Sequence, residues 1–154
     1  MESEKRIISE EEAQSYLPAL LEGGESVPLV VTGSSMLPFF KSGRDTVWLT
    51  PGTVPKKGDI AFFRRRDGNF VLHRVRKIRA DGSLVMNGDA QNWCETILPE
   101  QVLAVVTAFS RSGKRTVSAS AFRVRLRDLL WYPTRPVRPF LFRVYLAFRR
   151  KFKH

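Results

Sequence analysis

The spacing of apolar residues is helical at the N-terminus. Between residues 9 and 22 the apolar positions recur every three to four residues. They are Ala13, Tyr16, Leu17, Leu20 and Leu21. This spacing predicts a helix over 9–22, which Ser9 can cap and which the pair Gly23-Gly24 ends.

From Val27 to Phe109 the pattern becomes that of a β-rich domain. Short β-branched and aromatic runs alternate with turns of Gly, Pro and Asp. Asp67-Gly68 and Asp81-Gly82 each separate two such runs and predict hairpin turns. The predicted strands are 27–32, 45–49, 59–65, 69–79, 83–87 and 102–109.

The C-terminal third is basic and interrupted by prolines. Residues 110–120 are typical of a linker or a last exposed hairpin, and Pro133, Pro136 and Pro139 separate the two amphipathic segments that follow. Residues 139–152 predict an amphipathic helix with an apolar stripe. That stripe comprises Leu141, Tyr145, Phe148 and Phe152. The predicted organisation is an N-terminal helix (1–25), a β domain (26–110) and a basic tail (111–154).

The whole net charge of +11 belongs to this tail, because residues 1–110 contain 13 basic and 14 acidic residues. Residues 111–154 contain 13 of the 26 Lys and Arg but only one of the 15 acidic residues, Asp128. A basic amphipathic tail on a neutral domain indicates an anionic membrane surface as partner, or a helix packed on the domain. Nucleic-acid binding through Trp131 and Tyr132 ranks below both and is unlikely, because the β domain itself is neutral.

The composition indicates the compartment of the protein and whether it holds a disulfide or a metal. No apolar run is long enough to cross a membrane, and the N-terminus lacks the apolar core of a signal peptide. We therefore expect the chain in the cytoplasm, or bound peripherally to the cytoplasmic face of the membrane. The single cysteine, Cys94, excludes an internal disulfide, and no Cys/His cluster suggests zinc, so no metal or cofactor is expected.

A serine, a histidine and an acid could together form an acyl-transfer site. Ser35 lies in a turn after Gly33, and the alternation of a strand lets only one of Ser34 and Ser35 face a given cleft. His73 is the only histidine apart from the last residue of the chain. It shares one face of its predicted strand with Val71, Val75 and Lys77, while the other face carries Phe70, Leu72, Arg74 and Arg76.

Two carboxylates follow the histidine along the chain. Asp89 comes directly after Gly88, and Glu95 follows six residues later. A nucleophile, a base and an acid that orients the base are the parts of a serine-hydrolase site. Each residue alone is more typical of a turn or core position, so it is the combination that predicts chemistry.

Five segments occur in a fixed order along the chain. They are 33–38 (GSSMLP), 43–47 (GRDTV), 57–60 (KGDI), 71–75 (VLHRV) and 86–92 (MNGDAQN). Taken together, they resemble the LexA/signal peptidase superfamily of serine proteases, over more than half of the chain. The histidine followed by Arg-Val is closest to the SipW-like and endoplasmic-reticulum signal peptidases. The resemblance implies a β-ribbon fold with Ser35 as nucleophile, His73 as base, Asp89 as the orienting acid and Glu95 as a second acid.

The sequence therefore predicts a serine endopeptidase that cleaves a leader or signal-like peptide. The backbone N–H of Ser35 is the expected oxyanion donor, with Ser34 as a second candidate. Two alternatives stay open: a non-catalytic binding or scaffold module on the same fold, and a LexA-like self-cleaving regulator. The 25 residues before the β domain are too few for the helix-turn-helix of a repressor.

Overall fold

A computed structural model describes residues 10–151, which form mainly antiparallel β-structure with helices at both ends. The strands are β1 (Val27–Val30), β2 (Asp45–Thr50), β3 (Ile60–Arg64), β4 (Phe70–Ile78), β5 (Leu84–Asn87), β6 (Glu95–Ile97), β7 (Val102–Arg111) and β8 (Val117–Ser118). The helices are α1 (Glu10–Glu22), α2 (Phe122–Trp131) and α3 (Arg138–Lys151), with 3₁₀ helices at Pro99–Gln101 and Tyr132–Val137.

The eight strands form one sheet in the order β1-β2-β7-β3-β4-β5-β6, with β8 added beside β7. All the pairings are antiparallel. The Asp67-Gly68 and Asp81-Gly82 turns join consecutive paired strands, as the sequence predicts. The coarse prediction of a β-rich domain between helices is thus confirmed.

The alternation along β3 divides the apolar core between the two faces of the sheet. Ile60 and Phe62 belong to the larger cluster, which also includes Leu17 and Leu21 of α1. Ala61 and Phe63 point the other way and pack with a smaller cluster that contains Val75. His73 is in register with Ala61, so the imidazole lies on the face of the smaller cluster, together with Val71 and Val75 as predicted.

Two strands were not predicted from the sequence. β6 has three residues, and β8 has two, which is too short for an alternating pattern to be recognised. β8 pairs with β7, so residues 110–120 form the exposed hairpin rather than the linker. The predicted N-terminal helix is present from Glu10, and its predicted cap Ser9 lies outside the described residues.

The structure divides the predicted tail into two parts. α2 and the following 3₁₀ helix pack against the sheet and its loops through hydrogen bonds and ring contacts. Beyond the buried Arg138, α3 leaves most of its side chains exposed. Phe152 of the predicted stripe lies outside the described residues. None of the described helices is both long enough and apolar enough to cross a membrane.

Candidate active site

The predicted nucleophile lies in the loop that joins β1 to β2, residues 31–44, here called the Ser35 loop. Gly33 has a φ of +74°, a left-handed conformation that suits glycine and turns the chain just before Ser34. The N–H groups of Val31 and Gly43 close the loop by donating to the carbonyls of Asp45 and Val31, each over 2.9 Å. The loop is therefore fixed to the edge of the sheet at its base.

Ser35 and His73 line the same cleft, which has a volume of about 500 Å³. Ser35 is half-buried, whereas the imidazole is almost completely buried. No hydrogen bond joins these two described side chains, and catalytic hydrogen bonds are often long or poorly aligned until substrate binds. Ser34 also lines the cleft, but its side chain is more exposed.

The carboxylate beside the imidazole is that of Glu95. Its Oε1 lies 3.1 Å from Nδ1 of His73, close enough for a hydrogen bond, but the N–H direction is not aligned with it. The same carboxylate accepts two bonds from the Arg65 guanidinium, from Nε over 2.8 Å and from Nη2 over 2.6 Å. Arg65 thus holds Glu95 in place and also competes with the histidine for it.

Burial lowers the pKa of His73 from 6.5 to about 4. The charge of Glu95 opposes this shift, and the positive charge of Arg65 reinforces it. The imidazole is therefore neutral at physiological pH. Because Nδ1 is the ring nitrogen that lies beside Glu95, Nε2 is the nitrogen left to accept a proton from a nucleophile.

Asp89 has a different position from the one the sequence predicts, and this corrects the expectation that it orients the imidazole. Its side chain is fully buried and binds two arginines. Arg74 donates to both of its oxygens, over 2.9 and 2.7 Å, and Arg76 donates to one over 3.0 Å. A buried carboxylate needs such partners because isolated charge is costly away from water.

The turn that contains Asp89 nevertheless supports the Ser35 loop. The N–H of Ala90 donates to the carbonyl of Ser35 over 2.9 Å. A Cβ on Gly88 would lie 2.8 Å from that same carbonyl oxygen, so only glycine allows the two segments to approach this closely. Gly88-Asp89 therefore forms a structural contact with the Ser35 loop and does not place an acid beside His73.

The oxyanion donors predicted from the sequence remain available. Within residues 10–151, the backbone N–H groups of Ser34 and Ser35 donate to no carbonyl or side chain. Free N–H groups beside a nucleophile are the groups that can bind a developing oxyanion.

Sequence reasoning missed two residues of the cleft, Arg65 and Trp93. The Trp93 ring lies edge-on to His73, with 6.1 Å between ring centroids, and the Arg65 guanidinium lies over its face. Arg65 is the last residue of the predicted strand 59–65, and Trp93 lies in the loop before β6, so no periodic signal in the sequence distinguishes them. Across residues 10–151, no group of His, Cys, Asp and Glu side chains is arranged to hold a metal ion.

α2 also contacts the buried pair formed by Arg74 and Asp89. Asp128 accepts a 2.6 Å bond from Arg74, the arginine that also binds Asp89. Trp131 donates from its indole nitrogen to the backbone carbonyl of Asp89 over 2.7 Å. The C-terminal segment is thereby connected to the turn that supports the Ser35 loop.

Comparison with known proteins adds no relative to this picture. No protein-family model, no curated protein and no solved structure matches the chain.

Proposed function

We propose that this chain is a serine endopeptidase with the fold and chemistry of the LexA/signal peptidase superfamily. The observation that carries the proposal is the shared cleft: Ser35 and the neutral imidazole of His73 line it together. The carboxylate of Glu95 lies beside Nδ1 of the ring. In this arrangement Glu95 takes the orienting role that the resemblance assigns to Asp89.

The chemistry follows from the positions of these groups. Nε2 of His73 accepts the hydroxyl proton as Ser35 Oγ attacks the peptide carbonyl carbon. The N–H groups of Ser34 and Ser35 bind the oxyanion, and the negative charge of Glu95 stabilises the imidazolium. The imidazolium then gives its proton to the leaving amine as the C–N bond breaks. Water, deprotonated by the same nitrogen, hydrolyses the acyl-enzyme.

An extended peptide fits the walls of the cleft. β1 pairs with β2 alone among the described strands, so its other edge has backbone groups that a peptide strand can bind. Leu29, Val31 and Phe70 are among the apolar side chains lining the cleft beside Ser35. These features favour a substrate with apolar or small side chains near the cleaved bond, such as a leader peptide.

The direct test is covalent labelling with a fluorophosphonate probe, read by intact mass and by peptide mapping. We expect one adduct per chain, located on Ser35. Ser35→Ala should abolish the adduct, while Ser34→Ala is the matched control and should retain it. Labelling that is absent in the folded protein, or that moves to Ser34, would overturn the assignment.

A non-catalytic binding module is the second candidate, and one observation favours it. Arg65 binds Glu95 with better geometry than His73 does, and the lowered pKa makes the imidazole a weak base. A module of this kind would bind an extended peptide in the cleft without labelling. Peptide binding by the unaltered chain without cleavage of the peptide and without fluorophosphonate labelling distinguishes it from the peptidase.

A further inference from the structure

One face of α3 is apolar and exposed. Its large apolar side chains recur at the spacing of a single helical face, and Phe140 and Phe148 are 69% and 60% exposed. The face comprises Phe140, Leu141, Val144, Tyr145 and Phe148. A contiguous apolar face of this kind typically marks an interaction surface.

Positive charge surrounds this face. Arg143, Arg149 and Arg150 are exposed on α3, and the helix contains no acidic residue. Apolar and aromatic residues flanked by arginines suit the boundary between headgroups and acyl chains of an anionic membrane. A second copy of the chain suits it less well, because parallel or antiparallel pairing of two such helices brings like charges together.

The start of α3 is anchored to the domain. The guanidinium of Arg138 is buried and donates over 2.8 Å both to Oδ1 of Asn87 and to the carbonyl of Gln91. Gln91 is itself a cleft residue. Since α3 has 14 residues, it extends roughly 20 Å from this anchor. A ligand bound along α3 is therefore held at a fixed, short distance from the cleft.

We propose that α3 binds in the headgroup region of anionic lipid bilayers, with Phe140 and Phe148 inserted between the lipids and the arginines at the phosphates. The surface binds independently of any peptidase activity. It brings the cleft to polypeptides at the membrane surface.

The test is co-sedimentation of the full-length chain with vesicles of phosphatidylcholine alone and of phosphatidylcholine mixed with phosphatidylglycerol. We expect binding to the mixed vesicles and little to the neutral ones. Phe140→Ser/Phe148→Ser should weaken binding by about tenfold or more, since each ring loses its burial in lipid. Arg149→Glu/Arg150→Glu should weaken it by about tenfold, since each base near an anionic surface contributes to attraction.

Matched controls use exposed residues of the β2–β3 loop. Val54→Ser removes an exposed apolar side chain, and Lys56→Glu/Lys57→Glu reverses two exposed charges away from α3. Both controls should bind like the unaltered chain, and circular dichroism checks that every variant is folded.

Three results would overturn the proposal. One is equal binding to both vesicle types, and another is binding that Phe140→Ser/Phe148→Ser leaves unchanged. The third is failure to bind either vesicle. If light scattering then shows a dimer that Phe140→Ser/Phe148→Ser dissociates, the face is an interface between two copies of the chain.

Discussion

Nδ1 of His73 lies 3.1 Å from Oε1 of Glu95, while the fully buried Asp89 is bound by Arg74 and Arg76. Asp89 and Glu95, the two acids that follow the histidine, therefore have different contacts. Glu95 is placed to act on the imidazole, and Asp89 holds together the interior next to the Ser35 loop. Exchanging each acid for its amide separates catalysis from stability.

Glu95→Gln should reduce the rate of fluorophosphonate labelling by about 10²-fold or more, because His73 loses the carboxylate that orients it as the base. General-base assistance contributes about 10²- to 10⁴-fold to a rate. The same variant should lower the free energy of unfolding by less than Asp89→Asn does, because Glu95 is less buried than Asp89 and glutamine can still accept a bond from Arg65. Rates of labelling and urea unfolding curves measure the two effects.

Asp89→Asn should instead lower the free energy of unfolding by about 3–5 kcal/mol, because it leaves two buried arginines without their shared charge. The Asp67→Asn variant, on the exposed β3–β4 turn, is the matched control and should be far milder. If Asp89→Asn left stability intact and slowed labelling more than Glu95→Gln did, the division of roles would be wrong.

The pH dependence of stability should report the buried histidine. Because its pKa is about 4 when folded and near 6.5 when unfolded, the unfolded chain binds more protons between these values. The free energy of unfolding should therefore fall as the pH drops from about 6.5 to 4, by at most about 3 kcal/mol from this group. Urea unfolding across that range measures the slope.

His73→Gln should flatten this slope, because it removes the titrating group. Proton NMR gives an independent check: the histidine signal that disappears in His73→Gln should titrate well below pH 6.5. A His73 signal that titrates near 6.5 would contradict the buried, neutral imidazole.

Gly88→Ala should disturb the Ser35 loop. The added Cβ would lie 2.6 Å from Oε1 of Gln91 and 2.8 Å from the Ser35 carbonyl oxygen. We expect a loss of about 1–3 kcal/mol in unfolding free energy together with slower labelling, as for overpacked sites generally.

The double variant Gly88→Ala/Gln91→Ala identifies which of the two contacts matters. It removes the flexible side-chain contact and leaves the backbone contact with Ser35. Slow labelling should therefore persist in the double variant. If the labelling rate recovered fully, the close contact of Gly88 with the Gln91 side chain would be the only one that matters.

Asp128→Asn should weaken the attachment of α2. Arg74 loses one of its two carboxylate partners, so we expect a fall of about 1–3 kcal/mol in unfolding free energy. Arg125→Gln changes an exposed residue on the same helix and should have little effect. Urea unfolding measures the free energy of unfolding of both variants. If Asp128→Asn were as stable as Arg125→Gln, the ion pair between Arg74 and Asp128 would not be needed to attach α2.

The sequence by itself predicts the features that depend on neighbouring residues. The period of two in β4 predicts that His73 lies on one face with Val71 and Val75. The Asp-Gly pairs predict the hairpins, and the spacing of apolar residues predicts α1 and the amphipathic helix α3. Such patterns are local, because strand alternation, turn conformation and helical periodicity involve only a few consecutive residues.

Only the tertiary structure decides which of the two acids, Asp89 or Glu95, lies beside His73. Glu95 pairs with Met86, and Met86 pairs with Val75, so strand pairing brings Glu95 onto the face that carries His73. β6 is too short to be predicted, and its pairing depends on residues far apart in the chain. Buried arginines then determine the position of Asp89, because a carboxylate in the interior must lie where its charge is compensated.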